Sequence, residues 1–315
     1  MATMNTAPTV SLVLGSGGAR GFAHIGVIRW LESHGFAIRS VAGSSVGALI
    51  GGVYAAGELD AFENWVRALT QTDVLRLLDV AWSPSGLFKG ERVMETLKEL
   101  IGDRNIEDLP ITFTAVASDV EAQKEVWLNR GPLFDAIRAS IAVPTVFTPF
   151  EIAGRRLLDG GLVNPIPIAP TLGDGTDLTI AVDVAGPRGQ APAPASAAAA
   201  AATPPPASTE PAGVLADYQS RIIAFIDEVQ AKLGGEPQPA EQWGLGDVLQ
   251  GSFETMQGII SRFKLAAYSP DAIVTIPRDA ARSFEFYRAD ELIERGRREA
   301  ELALAHLIEP PPGAG

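Results

Sequence analysis

The chain has 315 residues, 46% of them hydrophobic and 20% charged, enough to bury a substantial core in one large domain or two small ones. Its 25 basic and 38 acidic residues leave a formal charge of −13, which argues against diffuse attraction to nucleic acid or anionic lipid, so no nucleic-acid partner is expected. Cysteine is absent, which excludes a disulfide scaffold, a thiol nucleophile and thiolate metal sites, and the three dispersed histidines His24, His34 and His306 predict no metal centre.

No run of about 18 apolar residues predicts a membrane span. Residues 1–10 lack the basic segment, apolar core and cleavage site of an export signal, so the cytoplasm is the expected compartment. Thr9 to Leu14 is a short apolar strand. A glycine-rich stretch follows, then a helix through Phe22, Ile25, Ile28 and Leu31 that Gly35 terminates. Val41 and Ala42 end a second strand, and Ser45 through Ala56 forms a second helix. Further strands are expected at Ile111–Ala117, Glu125–Leu128 and Leu178–Val184, with helices at Glu91–Ile101 and Leu133–Ile141 among them. This alternation predicts an α/β fold, a mostly parallel sheet covered on both faces.

From Gly186 to Gly213, 7 Pro and 11 Ala among 28 residues predict a disordered insertion. Beyond it, Leu215, Tyr218, Ile222, Phe225, Val229 and Leu233 recur at helical spacing, as do Leu249, Phe253, Met256, Ile260 and Phe263. Ile273 to Ile276 is a late strand and Asp290 to Ile308 a charged closing helix. The expected organisation is a core at 9–185, an insertion at 186–213, and residues 214–308 completing the same domain.

Gly43-Ser44-Ser45-Val46-Gly47 is a G-x-S-x-G motif after a strand and before a helix, the context of a nucleophile elbow. Gly43 and Gly47 allow the sharp turn, and Ser45 sits at the helix N-terminus, where the dipole favours developing negative charge. The plainer alternative is a glycine-rich turn with a helix-capping serine. Gly15-Ser16-Gly17-Gly18-Ala19-Arg20-Gly21 is a second glycine loop between strand and helix. It lacks the Gly-Lys-Ser/Thr ending of a triphosphate site, and no acidic residue follows at Arg39 to Gly43 as a dinucleotide would need. By elimination the Gly17 and Gly18 amides, with Arg20 nearby, are candidates for holding the oxyanion of a tetrahedral intermediate.

Asp159-Gly160-Gly161 follows the apolar pair Leu157-Leu158, and Gly160 and Gly161 allow a tight turn and close backbone approach. A hydrolase triad in the usual chain order needs a histidine after the aspartate, and His306 lies within a charged helix rather than a strand-end loop. A carboxylate acting directly on Ser45 is therefore the leading arrangement, with the His306 triad as an alternative. Asp119 and Asp183 also stand near strand ends, where capping a turn or pairing with a basic neighbour accounts for them. Trp82 to Phe88 and Ile141 to Phe150 are candidate linings for an apolar channel or ordinary core loops.

Taken together in order, the glycine loop, the elbow and Asp159-Gly160-Gly161 resemble the patatin-like phospholipase family. The flanks Ala23-His24-Ile25-Gly26-Val27-Ile28 and Leu162-Val163-Asn164-Pro165-Ile166-Pro167 are similar to its bacterial cytoplasmic branch. The resemblance covers about residues 9–185, more loosely 214–308. It implies a three-layer α/β/α fold and a serine ester hydrolase acting on lipid acyl esters. It also implies Ser45 as nucleophile, Asp159 as proton acceptor, and Gly17, Gly18 and Arg20 in the oxyanion loop. Ser16 departs from the glycine many members carry, which puts in question whether its own amide joins the hole. No cofactor or metal is implied. An acyl-ester lipid is the implied partner, transient contact with a membrane surface fits it, and a homo-oligomer is left open. The alternative class is a regulatory or adaptor protein that keeps the fold without hydrolysis.

Overall fold

A computed structural model describes residues 7–77, 90–144, 146–189 and 245–308 of the chain. Their strands are β1 (Thr9–Leu14), β2 (Ala37–Ser44), β3 (Thr112–Asp119), β4 (Lys124–Leu128), β5 (Phe150–Ile152), β6 (Arg155–Asp159), β7 (Leu178–Gly186) and β8 (Ala272–Pro277). Their helices are α1 (Ala23–Ser33), α2 (Val46–Ala55), α3 (Leu59–Arg67), α4 (Gln71–Leu77), α5 (Glu91–Ile101), α6 (Leu133–Ser140), α7 (Leu245–Tyr268) and α8 (Ala289–Leu304).

One sheet of eight strands runs in the order β5-β6-β3-β2-β1-β7-β8, with β4 also paired to β3. Neighbours from β3 through β8 are parallel, whereas β4, β6 and β5 join antiparallel. The parallel strands are apolar on both faces because both faces are covered. Along β1, Leu12 and Leu14 enter the large core that α1, α2, α3, α5, α6 and α8 build on one side. Val13, between them, turns to the other side, where Ile166, Ile168, Leu265 and Tyr268 cover it. The result is the three-layer α/β/α arrangement.

The register at β3 positions the site. At Ala115 and Val116 the strand pairs with both β2 and β4, so these two occupy opposite edges. At Ala117 to Asp119 it pairs with both β4 and β6. Hence β6 takes up the same edge as β2, and the C-terminal ends of the two strands meet there.

The chain divides into two compact units. The first, Met1–Gly189 with Gln257–Gly315, holds the sheet. The second is Gln190–Met256, whose described part is the opening turns of α7. Among the described residues no helix is long and apolar enough to cross a membrane.

The structure departs from expectation at several elements. The β5–β6 hairpin and helices α3 and α4 were not foreseen. Helix α7 exists, but its apolar stripe is only partly covered: Leu249, Met256 and Phe263 are exposed and Phe253 and Ile260 half-buried, while Gln257 and Ser261 are buried. The period was legible, but which face met the protein was not, because α7 seats itself through the polar contacts of Gln257 as well as through Leu265 and Tyr268. Residues 190–213 of the Pro/Ala-rich stretch, the helix expected through Leu215 and Leu233, and Trp82 to Phe88 lie outside the described residues.

Candidate active site

Strand β2 ends at Ser44, and the next residue turns abruptly into α2. Ser45 holds φ 56° and ψ −126°, a left-handed conformation that costs a non-glycine residue about 1–3 kcal/mol. The motif glycines make this turn feasible by close approach. A Cβ on Gly43 would lie 2.3 Å from the Gly47 carbonyl oxygen, and one on Gly47 only 2.1 Å from that of Leu14. The strained Ser45 amide is satisfied by the buried Ser140 hydroxyl of α6 at 2.9 Å, which in turn donates to the Val116 carbonyl at 2.6 Å. Sequence reading missed Ser140, since a serine at a helix end carries no signal of such a task.

Asp159 closes β6 and is 1% exposed. Ser45 Oγ donates to its Oδ2 at 2.5 Å, and the Gly161 amide donates to Oδ1 at 2.7 Å. Its own amide donates to the Ala142 carbonyl at 2.9 Å, so the segment Ile141–Phe150 does abut the site. Farther along that segment, Phe147 and Phe150 flank the Arg138 guanidinium at 5.3 and 5.5 Å. A Cβ on Gly160 would meet the Val116 carbonyl oxygen at 2.0 Å, so only glycine lets the turn lie against β3. Burial pushes the Asp159 carboxyl up to about 7, against the opposing hydrogen bonds from Ser45 and Gly161. A carboxylate so desolvated is a far better base than one in water.

The glycine loop lies alongside. Its Gly15 carbonyl accepts from the buried His24 ring at 2.8 Å, while the Ser16 amide donates to the Pro165 carbonyl at 2.8 Å. The Ser16 amide is therefore occupied. The Ala19 amide is occupied too, by the Ser283 carbonyl at 2.9 Å. Among the described residues, none accepts from the Gly17 or Gly18 amide. Arg20 is buried: its Nε donates to the Gly17 carbonyl at 3.1 Å and Nη1 to the Arg278 carbonyl at 2.7 Å. Because a peptide is planar and trans, holding the Gly17 carbonyl from one side aims the Gly18 amide to the other. The loop's far end packs on the elbow helix, since a Cβ on Gly21 would strike Val46 Cγ1 at 2.2 Å.

The remaining candidates lie elsewhere. His306 is exposed in the single turn after α8. His34 stacks on Trp30 at 4.1 Å and bonds its carbonyl, capping the end of α1. Burial of His24 drives its pKa down to about 4, so the ring is neutral at physiological pH. Asp119 accepts from the Ala122 amide and Asp183 from the Ala185 amide, both at 2.9 Å, as turn-capping carboxylates do. Among the described residues no group of three or more His, Asp or Glu converges as a metal site would require.

Residues 12–172 match the family model for patatin-like phospholipases. The chain belongs to the patatin-like phospholipase family. An uncharacterized NTE family protein of Mycobacterium tuberculosis is 41% identical over 347 residues, spanning 95% of this chain and 92% of that protein. The chain is also 34% identical to the neuropathy target esterase sws of Drosophila persimilis over 169 residues, 51% of this chain and 12% of that protein. Mouse patatin-like phospholipase domain-containing protein 6 is 31% identical over 58% of this chain and 14% of its own length.

Proposed function

We propose that this patatin-like protein is a carboxylic ester hydrolase of lipid acyl esters, working through a Ser45–Asp159 dyad and an acyl-enzyme. Phospholipids, lysophospholipids and simple carboxylic esters are its substrate classes. The observation that carries this reading is the 2.5 Å hydrogen bond from Ser45 Oγ to a buried carboxylate of raised proton affinity. Family membership supplies the substrate class.

In the first step Ser45 Oγ attacks the ester carbonyl carbon while its proton passes to Asp159 Oδ2. The carbonyl oxygen becomes an oxyanion between the Gly17 and Gly18 amides, each well-placed donor contributing on the order of 3 kcal/mol. As the intermediate collapses, the bond to the leaving oxygen breaks and Asp159 returns its proton to it. Water then attacks the acyl-serine carbonyl, giving its proton to Asp159. Release of the fatty acid returns that proton to Ser45. The α2 N-terminus favours the negative charge that Ser45 develops. Asp159 would carry out each proton transfer, so the cycle needs neither metal nor cofactor. The substrate would meet the protein at a membrane or micelle surface.

The test is hydrolysis of a medium-chain ester by wild type, Ser45→Ala and Asp159→Asn, with fluorophosphonate labelling of the same proteins. Turnover is expected to fall by at least about 10³-fold in both variants, and only proteins retaining Ser45 should take the label. Undiminished turnover in either variant would refute the dyad, and a wild type that neither turns over ester nor labels would point to an adaptor.

A further inference from the structure

Helix α7 reaches the site through one buried side chain. Gln257 is 6% exposed, and its Nε2 donates to the Gly161 carbonyl at 3.1 Å and to the Ser16 hydroxyl at 3.3 Å. It therefore binds the two loops of the site to each other, using both hydrogens of one amide. The residues it holds are the ones next to the reacting groups. Gly161 donates its amide to Asp159, and Ser16 precedes the Gly17 and Gly18 amides. The fit is built on both sides, because a Cβ on Gly161 would lie 2.3 Å from Gln257 Nε2 and 2.6 Å from Ser16 Oγ.

An apolar residue would cover this spot without the cost of desolvating an amide. Yet α7 turns Gln257 inward and leaves Phe263 and Ile259 exposed. Gln257 also lies outside residues 12–172, which match the family model. We propose that Gln257 is a positioning residue, clamping the Asp-Gly-Gly turn to the glycine loop so that Asp159 and the loop amides keep a single mutual geometry. This inference rests on the Ser45–Asp159 reading.

The clamp acts on Asp159 through Gly161. With the Gly161 carbonyl released, the turn gains freedom and its amide holds Oδ1 less well. That bond favours the ionised form, so weakening it makes Asp159 take up a proton at higher pH. The groups bonded to the carboxylate are the Ser45 hydroxyl and the Gly161 amide, so among the described residues the loss is not offset by a charged hydrogen-bond partner.

The decisive variant is Gln257→Met in the full chain, equal in length and without donors. Its kcat on the medium-chain ester is expected to drop about tenfold, with KM held within about twofold. The ascending limb of kcat/KM against pH is expected to move up by about 0.5 unit. A folded Gln257→Met with the wild-type kcat and limb overturns the clamp, and so does a kcat loss with the limb unmoved, which marks a structural role only. If Gln257→Met does not fold, Gln257→Asn, one methylene too short to span both loops, is measured by the same two readouts. Ser45→Ala and Asp159→Asn in the same assay separate the two ideas. If they remain active, the dyad fails; if they are dead and Gln257→Met is normal, only the clamp fails.

Discussion

Ser44 and Asp159 stand opposite consecutive residues of β3, Val116 and Ala117, on the same edge of that strand. One strand ends where the other, running the opposite way, also ends. Ser45, the residue after Ser44, therefore leaves the sheet beside the Asp159 carboxylate. The 114 positions between them are bridged by strand pairing, so the 2.5 Å contact is set by the sheet and not by flexible side chains.

The pH profile should carry the signature of Asp159. As the proposed base, Asp159 must be ionised, and its carboxyl is pushed up to about 7, so kcat/KM is expected to rise with pH and level off above that value. A limb set by a carboxylate and not by an imidazole should persist unchanged in His306→Ala. A limb abolished in that variant would assign it to the histidine.

Stability should respond in the opposite sense. Between about pH 4 and 7 the folded state holds the Asp159 proton more tightly than the unfolded chain, so this group's contribution declines as pH rises. His24 works the other way: its folded pKa of about 4 lies below the ordinary 6.5, so folding is favoured as pH rises from 4 to 6.5. Asp159→Asn removes the first effect. Its Tm is expected to exceed that of wild type, by a margin that widens from pH 4 and is constant above pH 7. A margin that does not change with pH would contradict the assigned shift.

Ser140→Ala should leave the buried Ser45 amide without an acceptor and the Val116 carbonyl without that donor. A cost of about 1–3 kcal/mol in denaturant unfolding is expected. Because the orphaned amide belongs to the strained residue, kcat should fall as well, with KM little changed. Wild-type kcat in a destabilised Ser140→Ala would show that the elbow holds its shape unaided.

Arg20→Lys keeps the charge but loses the forked geometry that reaches both the Gly17 and Arg278 carbonyls. With the Gly17 carbonyl free to rotate, the Gly18 amide loses its aim. A fall in kcat of about tenfold or more is expected, while labelling by a small fluorophosphonate, which reports Ser45 itself, should be less affected. Equal kcat in Arg20→Lys and wild type would remove Arg20 from the loop's support.

Much of this was legible in the chain. Strand β1 matches its expected limits because a β-branched and apolar segment of six residues, between Pro8 and Gly15, leaves little choice. The elbow was visible because its glycines are forced by backbone contacts under 2.5 Å, constraints that admit few other residues. The β5–β6 hairpin was missed because β6 places Arg155 and Arg156 before Leu157, a charged start without the apolar run that marked the other strands. Helix α7 shows the limit of periodicity, which reports that a face is apolar but not what the face touches.

Local sequence by itself determined the turns and the chemistry they can offer: a serine on a forced elbow, two amides in a glycine loop, an aspartate on a tight turn. Those follow from steric exclusion acting over a few residues. What only the tertiary structure decided was the meeting of these parts: β6 taking up the edge that β2 vacates, Ser140 reaching across to the Ser45 amide, and Gln257 arriving from a late helix. Such contacts join residues tens to hundreds of positions apart, and hydrogen bonding between distant backbones leaves no periodic trace in the chain.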